Sequence, residues 1–327
     1  MAVSDFPASG RAPAPPRAPV RKRGTLAEMR RRWADYLYVA PALAVMAFVI
    51  AFPLAYTVYV SFFKTTARNT RGLFPALNSY TGLDNYRDIL TDRNFWDITR
   101  NTIYWTVGST GLSFVLGFGA ALIVQREFLG RGVIRGILLI PYVISAVTAA
   151  YLWRWIYHSD YGLLSGVLID WGLIDRPVIL LDDIQRVMPA VIVANVWKEF
   201  PFVMIMLLAG LQTVPEQLMR AARVDGANAW HRFWHVTVPH LRGVILITTL
   251  LLFVVNLNSF TLVYVMTGGG PVDASQLWIT EIYSIAFQSY RFGYASAFSV
   301  ILFVVMLSFG FFYVRTLTGG SKQRRAT

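Results

Sequence analysis

The 327-residue chain contains no cysteine, only four histidines, and a share of charged residues of only 15%. The absence of cysteine excludes a disulfide scaffold, a thiol nucleophile and any cysteine-ligated zinc or iron–sulfur site. The histidines are scattered, so we expect no metal centre. A soluble domain usually carries about a quarter charged residues, and the low charge therefore indicates that lipid is part of the solvent around this chain.

Apolar residues are abundant: they make up 55% of the chain, and the mean hydropathy is +0.48. A helix needs about 20 apolar residues to cross the core of a bilayer. Six segments meet this requirement and predict an all-α, polytopic membrane protein. The predicted spans are 36–63, 103–124, 136–153, 187–211, 243–265 and 292–314. Prolines in these spans predict kinks more than breaks, because neighbouring helices can re-satisfy the freed carbonyls.

The basic residues are distributed unevenly between the two sides of this predicted bundle. Most of the 30 Lys and Arg residues lie in the N-terminal tail, the 125–135 turn, the 213–242 loop and the C-terminal tail. The positive-inside rule therefore predicts that both termini are cytoplasmic. We expect a disordered basic tail over 1–33, a membrane domain over 34–317 and a short tail over 318–327. The net charge of +12 then reflects orientation and contact with lipid headgroups, not binding of nucleic acid.

The sequence offers no site for chemistry. It lacks the phosphate-binding pattern G-x-x-x-x-G-K-[ST], and no nucleophile–base pair or carboxylate dyad is evident. We therefore expect no catalytic residues and no cofactor bound by this chain. If nucleotide energy drives its function, the nucleotide binds to another subunit.

The 213–242 loop has the pattern of two short helices separated by a break. Pro215 and Glu216 suit a first helical turn, Gly226 permits a backbone conformation that other residues resist, and Pro239 is expected to end the second piece. From periodicity alone, an interfacial helix pair lying on the lipid is an equally good interpretation.

The same loop resembles the EAA loop of ABC-importer permeases. The residues that carry the resemblance are Ala221-Ala222, Asp225-Gly226-Ala227 and Val238-Pro239, at the spacing of that motif. Four further motifs resemble the carbohydrate subgroup, of the maltose/glycerol-phosphate type of first permease subunit. They are Gly82-Leu-Asp-Asn-Tyr86, Leu139-Ile-Pro141-Tyr, Asn195-Val-Trp197 and Thr267-Gly-Gly-Gly-Pro271. One residue departs from the motif, since Arg220 stands where the family has glutamate, and Glu216 is the acidic residue available to replace it.

The resemblance implies a six-helix permease fold with a cytoplasmic coupling helix, in a bacterial cell membrane. It also implies four kinds of partner: a second homologous permease, two ATPase subunits that hold ATP and Mg, an extracytoplasmic solute-binding protein, and a sugar. The ATPase-coupling role falls on Glu216, Arg220, Ala221, Ala222, Asp225, Gly226 and Ala227.

The sugar is expected near the middle of the membrane, between the fourth and fifth spans, where polar groups are costly and usually face a cavity or a partner. The candidate substrate-binding residues are Asn195, Lys198, Glu199, Phe202, Asn256, Asn258 and Ser259. Two alternatives stay open. The asparagines suit hydrogen bonds between helices, and Lys198 with Glu199 suits an ion pair at a subunit interface.

Other functions remain to be separated from sugar import. A permease for another polar solute, such as glycerol phosphate, is the main alternative, and basic residues at the cavity would favour it. A membrane-embedded enzyme or scaffold leaves the EAA spacing unexplained.

Overall fold

The computed structural model describes residues 33–66, 69 and 79–323. Contacts divide the chain into two units at Ala55. In the first unit a helix begins as α1 (Trp33–Met46) and passes through a π-helical turn (Ala47–Ala51) into α2 (Phe52–Val60). Its apolar stretch, Leu37–Val60, is long enough to cross a membrane and confirms the first predicted span. The predicted disordered tail falls almost entirely outside the described residues.

The described part of the second unit consists of helices joined by turns and loops, with one isolated β-bridge between Phe63 and Tyr80. In chain order its helices are α3 (Asp84–Thr91), α4 (Arg93–Val124), α5 (Arg131–Val143), α6 (Ala146–Ile156), α7 (Leu163–Asp170), α8 (Val187–Leu211), α9 (Glu216–Val224), α10 (Ala229–Arg232), α11 (Val238–Leu257), α12 (Thr261–Thr267), α13 (Trp278–Tyr283) and α14 (Phe292–Gln323). The prediction of an all-α polytopic protein is confirmed.

The centre of the second unit is the packing of α4 against α8. Small residues at four-residue spacing on α4, Ser109, Ser113 and Gly117, are buried along this contact and let the two backbones approach closely. A Cβ atom added to Gly117 would lie 2.5 Å from the Cβ of Val203. Glycine is therefore required where these helices meet.

The third predicted span is broken, which corrects the sequence prediction of a kinked but continuous helix. Helices α5 and α6 meet at an angle of 97°. Ile144 and Ser145 are extended, and the hydroxyl of Ser145 accepts a hydrogen bond from the Thr148 N–H, so that it caps a new helix. Pro141 also removes a backbone donor from the last turn of α5. The cap that starts α6 thus interrupts the predicted span, although the sequence around it is apolar.

The fifth span also differs from its prediction at both ends. Its helix is continuous from Ala229 to Leu257, so Pro239 does not end the preceding piece. A π-helical turn, Phe233–Thr237, ends two residues before this proline. The wider turn leaves room for the ring, which in a regular helix clashes with the carbonyl four residues earlier. At the other end the helix stops at Leu257, and α12 follows as a separate short helix.

Five helices in the described residues are long and apolar enough to cross a membrane, and the bent α5–α6 pair makes up to six. The fourth prediction, 187–211, coincides with α8. The second begins earlier than predicted, because α4 starts at Arg93. The last helix continues to Gln323, so the predicted tail over 318–327 is helical over its described part.

Candidate functional site

Helix α9 lies where α4 and α8 end, beside Gln125 and Val214. Pro215 is extended and immediately precedes the helix. One turn apart, Glu216 and Arg220 form an ion pair of 2.9 Å between Oε2 and Nη2. The acidic group missing from the motif position is therefore present one turn earlier, on the same side of the helix.

The end of α9 is built around Gly226. Its φ of +78° is left-handed, a conformation that side chains with a Cβ rarely adopt. The Gly226 N–H donates to the Arg223 carbonyl at 3.1 Å, and the Ala227 N–H donates to the Ala222 carbonyl at 2.9 Å. The Arg232 guanidinium then donates to the Ala227 carbonyl at 2.6 Å. The predicted break is confirmed, and hydrogen bonds fix its geometry.

The two sides of α9 differ. Its outer face, defined here as Leu218, Ala221, Val224 and Asp225, is exposed, with Val224 at 87% and Leu218 at 50% exposure. On the other side Met219 is half-buried and lines a groove. Exposed aliphatic side chains on a short helix at the end of a bundle are typical of a surface that another protein covers.

Two predicted site residues meet in the middle of the bundle. Asn195 of α8 donates from Nδ2 to Oδ1 of Asn256 of α11 at 2.7 Å, and Asn256 donates in turn to the Thr110 hydroxyl of α4 at 3.2 Å. Trp105 Nε1 donates to the Asn256 carbonyl at 3.0 Å. These four residues, the amide cluster, are all buried. In this conformation the asparagines therefore bond between helices, and contact with a solute requires α8 and α11 to separate.

A second group of predicted residues lies on a more accessible side of α8. The Phe202 ring stacks on the Tyr142 ring of α5, with centroids 6.0 Å apart and planes at 24°. The Lys198 ammonium lies 5.8 Å from the Tyr142 centroid. Within the described residues no ion pair joins Lys198 to Glu199, and both are half-buried. In the sequence, Tyr142 stands out only as part of a family motif. The nearby Pro141 and the Ser145 cap mark the bend that brings it to α8.

The remaining two candidates belong to different surroundings. Asn258 is exposed and donates from Nδ2 to the Val254 carbonyl at 3.0 Å and to the Met306 sulfur at 3.4 Å. Ser259 is half-buried, and its N–H donates to the Asn256 carbonyl at 3.1 Å. Because α11 ends at Leu257, the structure does not bring Asn258 together with Asn195.

Comparison with known families identifies the chain. Residues 113–317 match the model of the binding-protein-dependent transport system inner membrane component family. The chain belongs to this family. The match covers α9 and its glycine-terminated end together with the C-terminal part of α4 and all of α8 and α11. The prediction that the chain is an importer permease, made from the loop motif, is confirmed.

Two relatives cover most of the chain. The trehalose/maltose transport system permease protein MalF of Thermococcus litoralis is 35% identical over 86% of this chain and 92% of its own length. The trehalose transport system permease protein SugA of Mycobacterium tuberculosis is 33% identical over 89% of this chain and 91% of its own. A chain of a solved bacterial alginate ABC transporter shares the fold, with a TM-score of 0.74, 22% identity, and coverage of 88% of this chain and 95% of that one. The chain is thus a multi-pass membrane permease of a binding-protein-dependent ABC system.

Proposed function

We propose that this permease translocates a sugar, delivered by an extracytoplasmic binding protein, as one subunit of an ATP-driven importer. The observation that carries the proposal is the family match over 113–317. The sugar assignment draws on the two relatives, whose names specify trehalose and maltose transport. The chain itself is not an enzyme in this account. It pairs with a second, homologous permease and with two ATPase subunits that bind ATP and Mg.

The coupling step is assigned to the outer face of α9. Leu218 and Val224 present apolar surface that an ATPase subunit would cover, and Ala221 allows a close approach. The fixed break at Gly226 joins α9 to the continuous helix Ala229–Leu257, which carries Asn256. A movement of the ATPase can therefore reach the amide cluster through one rigid helix.

The solute path is assigned to the side of α8 that carries Lys198 and Phe202, together with Tyr142. A sugar ring offers C–H faces that pack on aromatic rings, and hydroxyls that need amide or hydroxyl partners. Asn195 and Asn256 would supply these partners when α8 and α11 separate. Tyr142 is 41% exposed in this chain. We therefore assign the opposite wall of the path to the second permease.

The orientation follows from charge. The α9 side carries the basic 213–242 loop, and the positive-inside rule places it in the cytoplasm with both termini. The ATPase subunits then lie on the α9 side and the binding protein on the opposite side.

An anionic solute such as glycerol phosphate is a second candidate, and Lys198 favours it. Its ammonium lies over an aromatic ring and forms no ion pair in the described part of the chain, although the neighbouring Glu199 carboxylate interacts with it electrostatically. Such a cation is available for a phosphate group.

Uptake in a host strain that lacks the gene tests both candidates. Cells complemented with the wild-type chain are given labelled trehalose, maltose or glycerol 3-phosphate, with the empty vector as control. We expect restored uptake of a sugar. Restored uptake of glycerol 3-phosphate alone favours the second candidate, and uptake of each solute equal to the vector control contradicts both.

A further inference from the structure

A groove of about 600 Å³ lies beneath α9, on the side opposite its outer face. It is walled by the ends of α4 and α8, by the inner side of α9, and by the first turns of the helix that begins at Ala229. The membrane-crossing helices α4 and α8 end at Val124 and Leu211. The groove therefore lies at the level where the bilayer core gives way to its headgroups.

Three arginines line this groove: Arg126 just after α4, Arg223 of α9 and Arg232 of α10. Within the described residues none of them forms an ion pair. Arg232 is anchored by its bond to the Ala227 carbonyl, and its Nε is buried without a hydrogen-bond partner. The acidic residue at the rim, Glu216, is already paired with Arg220. The groove thus holds cations whose anionic partner is not in the described protein.

The rest of the lining is apolar or aromatic. Leu122, Leu211 and Phe233 form walls of the groove. Trp230 lines the groove and is 67% exposed. Trp234 packs against it in a T-shaped arrangement and is 47% exposed. Tryptophan at this level is typical of the membrane interface. Cations beside an apolar wall suit a ligand with a phosphate at one end and hydrocarbon at the other.

We propose that this groove binds the phosphate of an anionic phospholipid from the leaflet on the α9 side, with the guanidiniums on the phosphate oxygens and the upper acyl carbons against the apolar wall. Guanidinium matches phosphate through paired N–H donors, and basic pockets between transmembrane helices hold anionic headgroups. A free phosphate ester carries the same charge but has no acyl chain to pack against the apolar wall. The lipid would then brace the inner side of α9.

Lipid retention by the full-length chain, purified with whichever subunits copurify, tests this assignment. The chain is reconstituted in nanodiscs of phosphatidylcholine containing phosphatidylglycerol, and retained lipid is counted by native mass spectrometry. The double variant Arg126→Gln/Arg223→Gln removes two exposed cations, and Arg242→Gln, an exposed arginine outside the groove, is the matched control. Each basic residue contributes about fivefold in affinity, so we expect about twenty-fivefold weaker retention in the double variant and none of this loss in the control.

Equal retention of phosphatidylglycerol by the double variant and the control overturns the proposal. So does displacement of phosphatidylglycerol by soluble glycerol phosphate at equal concentration, which would assign the groove to a free phosphate ester. A photo-crosslinking phosphatidylglycerol on the wild-type chain makes the test independent of how the variant folds. Crosslinks in peptides containing Leu122 or Trp230 support the site, and crosslinks confined to other peptides contradict it.

Discussion

Asn195 and Asn256 face each other across the interface of α8 and α11, and a 2.7 Å hydrogen bond joins their side-chain amides. Both are almost fully buried, at 2% and 1% exposure. This bond holds two membrane helices together. The same two amides could bind a sugar once the helices separate. Substitutions at this pair can therefore distinguish a role in helix packing from a role in transport.

Replacement of one asparagine by leucine leaves the other amide buried without its partner. We expect Asn195→Leu or Asn256→Leu to destabilise the assembled transporter by about 1–3 kcal/mol. We also expect either variant to lower sugar uptake per assembled complex. Uptake is normalised to the complex recovered in detergent.

The double variant Asn195→Leu/Asn256→Leu distinguishes the two roles. Removing both partners of a buried hydrogen bond can be nearly neutral for stability, so assembly should recover in large part, and the remaining cost is the hydrogen bond that Thr110 loses from Asn256. If the amides bind the solute, uptake per complex stays low in the double variant. Recovery of wild-type uptake along with assembly would leave the pair with a packing role only.

The outer face of α9 is expected to dock an ATPase subunit through apolar contact. Val224→Asp and Leu218→Asp place a charge in that contact, where an unpaired carboxylate is costly to bury. We expect loss of ATPase copurification and of uptake, with normal membrane insertion. Gln212→Asp, an exposed polar residue just before α9, is the control. Undiminished copurification with both variants would remove the docking assignment.

Gly117 decides how closely α4 and α8 pack. A methyl group there meets Val203 Cβ at 2.5 Å and the Phe200 carbonyl at 2.6 Å, whereas a Cβ at Gly111 on the same helix meets nothing within 4 Å. We expect Gly117→Ala to cost about 1–3 kcal/mol of stability, and Gly111→Ala to be neutral or slightly stabilising. Thermal unfolding in detergent compares the two, and similar melting temperatures would contradict the close packing.

Glu281, which lies outside the membrane-crossing helices, is expected to make the stability of the fold depend on pH. Burial raises its pKa above the ordinary 4.5; the hydrogen bond from Gln276 opposes this, and the nearby Asp273 and Asp92 add to it. The folded chain therefore holds this proton more tightly than the unfolded chain, so this contribution to stability is present below the ordinary pKa and is lost as pH rises through the raised one.

The neutral isostere Glu281→Gln should remove that loss. We expect the variant to melt at a higher temperature than the wild type at alkaline pH, with the difference shrinking as pH falls towards the ordinary carboxyl pKa. Thermal unfolding as a function of pH measures it. A difference that is constant with pH would mean that ionisation of Glu281 is not the cause.

Apolar runs predicted the class of the fold well, because membrane helices must be long and apolar. They predicted the breaks poorly, because a break depends on local capping. The run through 136–153 is uniformly apolar, yet the Ser145 hydroxyl caps a new helix inside it. Conversely, Pro239 reads as a stop, yet the π-helical turn before it keeps the helix continuous. Hydropathy reveals neither the Ser145 cap nor the π-helical turn.

The candidate site was only partly predictable for a related reason. A motif spacing located α9, since a glycine in a left-handed turn must stand at a fixed distance from the helix that it ends. Asn195 and Asn256 are 61 residues apart in sequence. Their pairing depends on how α8 and α11 are rotated about their own axes, and packing sets that rotation. Asn258 illustrates the limit, because the end of α11 turns it towards Met306 instead.

ATP-driven flux through the purified transporter shows whether this chain imports a sugar. Proteoliposomes would contain the chain with its copurifying subunits, ATP on the α9 side, and the cognate binding protein with labelled sugar on the other. We expect accumulation of a sugar such as trehalose or maltose that requires both ATP and the binding protein, and that Val224→Asp abolishes. Accumulation that persists without ATP, or that is absent for every sugar offered, would contradict it.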